Sequence, residues 1–322
     1  MLLGFDIGGT KCAVVLGKAS GDRLDIIDKV VMPTVQPPYT MIETLFTSAE
    51  ALLTKHGLSN AGLKGIGISC GGPLNSKKGL ILSPPNLPGW DNIPIVKMTT
   101  ERFGRNALLQ NDANACAVAE WKYGAGKGFE NVIFLTFGTG MGAGLILNGR
   151  LYSGTSDFAG EVGHLRLSEM GPVGFGKAGS FEGWCSGGGI AQLAQIKVRE
   201  QLQVGRKVSF CNSLDDVGKL TAKVVAEAAH QGDELAIDIY NTCAGYLGRG
   251  LSLLIDILNP EVIIMGSIYG RAKSLLDERM LQVIHREAYI GAHEVCRIVP
   301  AGLGENIGDM AALSLAGMSS EQ

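Results

Sequence analysis

The sequence predicts an α/β chain built from two similar lobes. Two observations carry this reading: strand and helix patterns alternate twice over along the chain, and each half contains a glycine-rich turn between two apolar strands. The first turn reads Phe5-Asp6-Ile7-Gly8-Gly9-Thr10-Lys11 and runs into Cys12-Ala13-Val14-Val15-Leu16. The second reads Leu135-Thr136-Phe137-Gly138-Thr139-Gly140 and is followed by Ala143-Gly144-Leu145-Ile146-Leu147. Small residues at a hairpin tip present backbone N–H groups that can wrap phosphate oxygens. One Gly-Gly-Thr alone reads as an ordinary hairpin turn. A pair, one per half, points to a polyphosphate clamped between two domains.

Other phosphate motifs fit less well. No Gly-Lys is followed by Ser or Thr, so there is no P-loop. Gly138-x-Gly140-x-x-Ala143 matches a relaxed dinucleotide fingerprint, but that motif must open a helix. Here residues 144–151 read as strand and turn.

Along the chain, residues 2–5, 12–16 and 24–31 read as a strand meander, and 39–55 as a helix. A buried strand follows at 65–70, a helix at 95–103 and a strand at 107–110. A helix then runs from 113 to about 123. The second half opens with a strand at 132–137 and continues with helical segments at 190–202, 215–230 and 233–258. A strand at 261–265 follows the breaker Asn259-Pro260, and a strand near 295–299 precedes a helix at 307–316. The expected lobes are residues 1–112 with 307–322, and residues 113–306, with a hinge near Asp112.

Composition narrows the partners. The chain has 322 residues, 46% hydrophobic and 18% charged, enough to bury the cores of two ordinary domains. A net charge of −3 without a dense basic block argues against nucleic acid. Seven scattered cysteines read as reduced thiols of a cytoplasmic protein. No secretion signal is evident. The uncharged stretch 132–148 is too short and glycine-rich to span a membrane.

Three further segments carry candidate chemistry. Gln110-Asn111-Asp112-Ala113-Asn114 sits where a buried strand meets a helix; Asp112 reads either as a helix N-cap or as a general base. Gly160-Glu161-Val162-Gly163-His164 and Phe181-Glu182-Gly183-Trp184 add two carboxylates and an imidazole, which suit a polyhydroxylated ligand. Glu161, His164 and Asp112 are also a conceivable metal set, without helical His spacing to support it. Ser83-Pro84-Pro85-Asn86-Leu87-Pro88-Gly89-Trp90 is a proline-stiffened loop, either a rigid turn or a sugar-binding loop, and Trp90 reads equally as core.

Together these segments resemble the ROK family of bacterial sugar kinases and regulators. The matching pieces are Asp6 to Lys11, Asn86 to Trp90, Asn111 to Asn114, Gly138-Thr139-Gly140-x-Gly142, Gly160 to His164, and Asn259-Pro260-Glu261 running to Gly266. The resemblance implies a two-lobed hexokinase/actin-like (ribonuclease H-like) ATPase fold with an interdomain cleft that closes on sugar. It also implies a homodimer, Mg²⁺ and ATP, and phosphorylation of a hexose at its 6-hydroxyl. It makes Asp112 the catalytic base and places Asn86, Asn111, Asp112, Glu161, His164 and Glu182 on the sugar. Asp6, Gly8, Gly9, Thr10 and Lys11 match the first phosphate turn, and Thr136, Gly138, Thr139 and Gly140 the second. Gly266 matches an adenosine-contacting turn, usually Gly-Gly; here Ser267 follows.

One departure is large. The family's kinases commonly carry a zinc motif, Cys-x-Cys-Gly-x-x-Gly-Cys, before the glutamate equivalent to Glu182. Here Val173, Phe175 and Ser180 stand in the cysteine positions. No structural zinc is expected, and Val173 and Phe175 are expected to pack as a small apolar cluster that fixes the turn. The sugar is expected to be glucose or a relative. The rival readings are a sugar-sensing regulator, which needs a DNA-binding module ahead of Leu2, and an inactive sugar-binding protein.

Overall fold

The computed structural model describes residues 1–35 and 37–320. Residues 36, 321 and 322, which the expected first lobe includes, lie outside it. The chain divides into two units, Met1–Phe134 with Gly144–Ala159 and Gly302–Gln322, and Leu135–Ala143 with Gly160–Ala301.

The first unit begins with an antiparallel meander, β1 (Leu2–Ile7), β2 (Lys11–Ser20) and β3 (Arg23–Pro33). Helix α1 (Pro38–Lys55) leads to β4 (Gly65–Cys70), and a small hairpin, β5 (Leu74–Asn75) with β6 (Leu80–Ile81), precedes α2 (Ile95–Phe103). Strand β7 (Ala107–Asn111) passes directly into α3 (Asp112–Tyr123). The sheet order is β3-β2-β1-β4-β7, with β1, β4 and β7 parallel. Phe5, Phe46 and Phe103 join β1, α1 and α2 in the core, with ring centroids 5.4–6.1 Å apart. Helix α10 (Ile307–Ser319) covers the sheet so closely that a Cβ on Gly67 would collide with its backbone at Ala312 and Ala316. Glu120, fully buried near the end of α3, accepts the N–H groups of Ala125 (2.8 Å), Gly302 (3.1 Å) and Leu303 (2.9 Å).

The second sheet has the order β10-β9-β8-β13-β14. Its strands are β8 (Val132–Phe137), β9 (Met141–Leu147), β10 (Arg150–Leu151), β13 (Val262–Met265) and β14 (Arg297–Pro300). The division between the units falls within β8 and β9. In the second unit a two-strand hairpin, β11 (Val173–Gly174) and β12 (Lys177–Ala178), leads to α4 (Phe181–Cys185) and α5 (Gly187–Gln203). Helices α6 (Ala222–His230) and α7 (Glu234–Leu258) precede β13, and α8 (Ile268–Glu287) and α9 (Ile290–His293) precede β14. Among the described residues no helix is long and apolar enough to cross a membrane.

Three differences from the sequence reading have physical causes. The segment expected as one helix over 215–230 is a short 3₁₀ stretch, Leu214–Lys219, followed by α6, because the Thr221 hydroxyl accepts the Val224 N–H at 3.3 Å and starts a new helix. Helix α8 is absent from the sequence reading; its buried stripe of Tyr269, Ala272, Leu276, Met280, Val283 and Ile284 is masked by dense charge and an early glycine. The third concerns Val173 and Phe175. They do not pack as an apolar cluster: Val173 is 46% exposed and Phe175 71% exposed. Hydrogen bonds hold the turn instead. Ser180 Oγ accepts the Gly183 N–H at 3.0 Å and donates to Gly174 O at 3.5 Å. Gln192 pairs with both backbone groups of Val173, at 2.8 and 2.9 Å.

Ser267 enters α8 with φ +46° and makes no side-chain cap. Positive φ costs an L-residue up to about 1 kcal/mol more than glycine. Ser267→Gly is therefore expected to raise the melting temperature by roughly 2–4 °C. An unchanged or lower value in a thermal melt would show that the turn bears no strain.

Candidate active site

In the first unit the parallel strands end together. Ile7 pairs with Cys70, and Cys70 with Asn111, so the residues that follow each strand share one edge of the sheet. The carboxyl edge of parallel strands is where open α/β sheets bind ligands. Gly8, Gly9 and Thr10 form the tip joining β1 to β2, closed by the Gly8 N–H on Lys11 O at 3.1 Å. Thr34 steadies the tip: its hydroxyl donates to Gly8 O at 2.6 Å and its N–H to Thr10 O at 3.0 Å. Gly9, Thr10 and Lys11 are exposed. A Cβ on Gly9 would collide with the backbone oxygen of Asn86, so only glycine lets the turn lie against the proline-rich loop. Asn86 points its amide toward Gly71, the residue after β4, with Oδ1 3.2 Å from where a Gly71 Cβ would stand. Leu87 and Trp90 anchor the loop with no exposed surface, so Trp90 is core.

Asp112 opens α3 but does not cap it. Asn111 Oδ1 accepts the Asn114 N–H at 2.7 Å and is the cap. The helix needs nothing from Asp112 beyond the bond its Oδ1 accepts from the Ala113 N–H at 2.8 Å. The residue is solvent-accessible yet hemmed in by protein, and burial raises its carboxyl pKa above the ordinary value, against the Ala113 hydrogen bond. Asp6 sits beside it electrostatically. Burial raises the Asp6 pKa to about 6, reinforced by the Asp309 and Asp112 carboxylates and opposed by Lys11 and a hydrogen bond from Ser69. Asp309, in the first turn of α10, is held by Lys29 of β3 at 2.8 Å. Sequence reasoning missed Asp309; its one signal is an acid in the first turn of an otherwise apolar helix.

In the second unit the tip of the β8–β9 hairpin is Gly138-Thr139-Gly140. Thr136 Oγ1 accepts the Gly142 N–H at 2.8 Å, and the Gly138 N–H reaches Gly140 O at 3.2 Å. The start of α5 docks on this tip through the Gly187 N–H, 2.7 Å from Gly138 O. Glu182 joins it from α4: its Oε2 accepts the Met141 N–H at 3.0 Å. The loop bearing Glu161 and His164 lies against the same strand, with the Ala143 N–H on Gly160 O at 2.8 Å. A Cβ on Gly163 would strike Met141 O and approach Cβ of Glu182 to 3.3 Å, so the glycine brings the loop onto Glu182. His164 is exposed, its ring meets the Phe175 ring edge to face at 5.4 Å, and Lys177 Nζ holds its carbonyl at 2.6 Å. Phe175 and Lys177 are supports that the sequence reading did not assign. Gly266 donates to Leu135 O at 2.9 Å, beside β8.

Asp6 yields a prediction about stability. Its folded pKa of about 6 lies above the ordinary 3.8, so the native state binds the extra proton between those values and stability falls as pH rises through that window. Asp6→Asn is expected to be more stable than the parent at pH 7, by up to about 3 kcal/mol, with the gain shrinking as pH falls from 6 to 4. Denaturant melts at both pH values measure it, and a gain independent of pH would remove the electrostatic account.

The model of the ROK family matches residues 2–318. The chain is 33% identical over 291 residues to a glucokinase of Halalkalibacterium halodurans, covering 89% of this chain and 85% of that one. It is also 27% identical to a xylose repressor of Caldicellulosiruptor bescii, over 90% of this chain and 71% of that one. Among solved structures, a ROK hexokinase from Thermus thermophilus superposes with a TM-score of 0.80 at 29% identity, covering 99% of both chains. A ROK glucokinase from Streptomyces griseus in complex with glucose and AMPPNP gives 0.74 at 27% identity, covering 98% of this chain and 99% of that one. The chain belongs to the ROK family, and it is a carbohydrate kinase with the α/β fold of the ROK hexokinases.

Proposed function

We propose that this kinase transfers the terminal phosphoryl group of ATP to the 6-hydroxyl of a hexose, with glucose as the first candidate and Asp112 as general base. The observation that carries the proposal is Asp112 itself: an accessible carboxylate with a raised pKa, which Asn111 relieves of capping duty. Asp112 accepts the hydroxyl proton while the sugar oxygen attacks the terminal phosphorus in line, and the bond to the departing ADP oxygen breaks. Asn86, Asn111, Glu161, His164 and Glu182 hold the sugar hydroxyls, offering both donors and acceptors. The Gly8–Lys11 and Thr136–Gly140 turns bind the phosphates through backbone N–H groups, and Gly266 meets the adenosine. The glucose and AMPPNP of the Streptomyces griseus relative support this ligand pair.

Mg²⁺ fits the first unit. Asp6 is crowded by Asp309 and Asp112, a repulsion that a divalent cation relieves. Among the described residues no group of three or more His, Cys, Asp or Glu side chains could hold a metal ion by itself. Mg²⁺ binds through one or two carboxylates together with substrate phosphates. Asp6 is the residue that would hold it, and the ion would neutralise charge on the phosphates.

The second reading is a sugar-responsive regulator, favoured by the xylose repressor relatives. A coupled ADP-release assay over a sugar panel, with ATP and polyphosphate as alternative donors, separates the two. Turnover with ATP and one hexose supports the kinase proposal, and sugar binding without turnover supports the regulator.

Asp112→Asn should lower kcat by about 10²–10⁴ and leave sugar affinity within roughly tenfold, since the amide keeps the shape but cannot take the proton. The base works only when ionised. Parent kcat/KM should therefore fall as pH drops through an Asp112 pKa above the ordinary carboxylate range. Near-parent turnover in the variant would end the general-base assignment.

Phe175→Ala should raise the sugar KM two- to tenfold, roughly the worth of an aromatic pair, with kcat unchanged, because the ring steadies His164 and takes no part in the transfer. Unchanged KM would remove Phe175 from the site.

A further inference from the structure

Outside the candidate active site, helices α7 and α8 border an open cavity of about 160 Å³ lined by the exposed residues Arg249, Arg279 and Arg286. Asn241, Thr242 and Tyr246 complete its polar lining, and none of the lining residues is acidic. Arg286 is paired by Glu287, at 2.6 Å. Arg279 has no ion pair or hydrogen bond among the described residues. It lies along the α7 backbone, with Nε 3.9 Å from where a Gly245 Cβ would stand. Arg249 is preorganised: its guanidinium sits 5.1 Å over the Tyr246 ring, and Tyr246 stacks on Trp184 at 3.8 Å with 6° between the planes.

Three exposed guanidinium groups line one cavity, and among the described residues only Arg286 has a carboxylate partner. An anion would balance this local positive charge, and the planar fork of arginine matches phosphate oxygens two at a time. The volume is several times a single water's share of about 30 Å³, so a bare phosphate leaves room beside it. The amide of Asn241 and the hydroxyl of Thr242 suit a hydroxylated skeleton in that room. We propose that this cavity is a binding site for a phosphate group, carried by a small phosphomonoester. The proposal does not rest on the kinase reading, because none of the lining residues is among those assigned to catalysis or to sugar and phosphate binding.

Trp184 provides a probe, since it stacks on the residue that holds Arg249. The full chain is titrated with glucose 6-phosphate, inorganic phosphate, or glucose in chloride, following tryptophan fluorescence and binding heat. Both phosphates are expected to give a binding heat and a fluorescence change that depend on Arg249 and Arg279, whereas any response to glucose in chloride, the substrate under the kinase reading, should be the same in the parent and in the arginine variants. Arg249→Gln and Arg279→Gln should each weaken this binding roughly tenfold, the effect of removing one charged hydrogen-bond partner. KM for sugar and ATP should stay unchanged in both variants. Trp184→Phe should abolish the fluorescence change and keep the binding heat. Tighter binding of the ester than of inorganic phosphate, lost in the arginine variants, supports the proposal, and equal affinity for the two would overturn the assignment to a phosphomonoester. Equal binding by the parent and an Arg249→Gln/Arg279→Gln double variant would overturn it, because the ligand would then sit elsewhere. It would also be overturned if the double variant altered sedimentation while the parent bound neither phosphate, since the arginines would then serve contact between copies of the chain.

Discussion

Backbone meets backbone in this protein at distances that a single methyl group would forbid, and the site geometry depends on that constraint. Gly67 lets α10 settle on the first sheet, Gly9 lets the first turn lie against the Asn86 loop, and Gly163 lets the His164 loop press onto Met141 and Glu182. Each contact exchanges a side chain for proximity. The result is that polar groups from distant segments converge without long flexible reaches, which lowers the entropy needed to hold them.

The acids are arranged by the same economy of space. Asp6, Asp112 and Asp309 come from a strand end, a helix start and the last helix, and burial together with mutual repulsion keeps Asp6 partly protonated near pH 6. Folding alone does not favour such a cluster. Its presence at the carboxyl edge of parallel strands, beside an exposed glycine turn, is intelligible as a site in which cationic or phosphate-bound partners complete the charge balance. On the second unit Glu182 is treated differently: the Met141 N–H fixes one of its oxygens and so its direction.

Much of this was legible in one dimension. The periodicity of residues 95–103 and the apolar run 132–137 coincide with α2 and β8, and Asp233 caps α7 where the pattern begins. Other features were hidden because local pattern does not carry them. A hydroxyl at Thr221 divides a segment that reads as one helix. The charge on α8 conceals its buried stripe. Val173 and Phe175 look like core residues by type, yet a hairpin with two residues in each strand offers no second layer to cover them. Ser180 and Gln192 supply by hydrogen bonding the order that apolar burial was expected to supply.

The sequence by itself determined the α/β class, the paired glycine turns, the acidic and amide residues at the strand ends, and the family to which their order belongs. Those features are local: they depend on side-chain period, on turn chemistry and on spacing along the chain. Only the tertiary structure decided that Asn111 rather than Asp112 caps α3, that Asp309 shares the field of Asp6, that Glu182 grips the second turn, and that three arginines from α7 and α8 line one cavity. These depend on which distant segments pack together. Packing direction and mutual charge are properties of the folded arrangement, and no local window of the chain contains them.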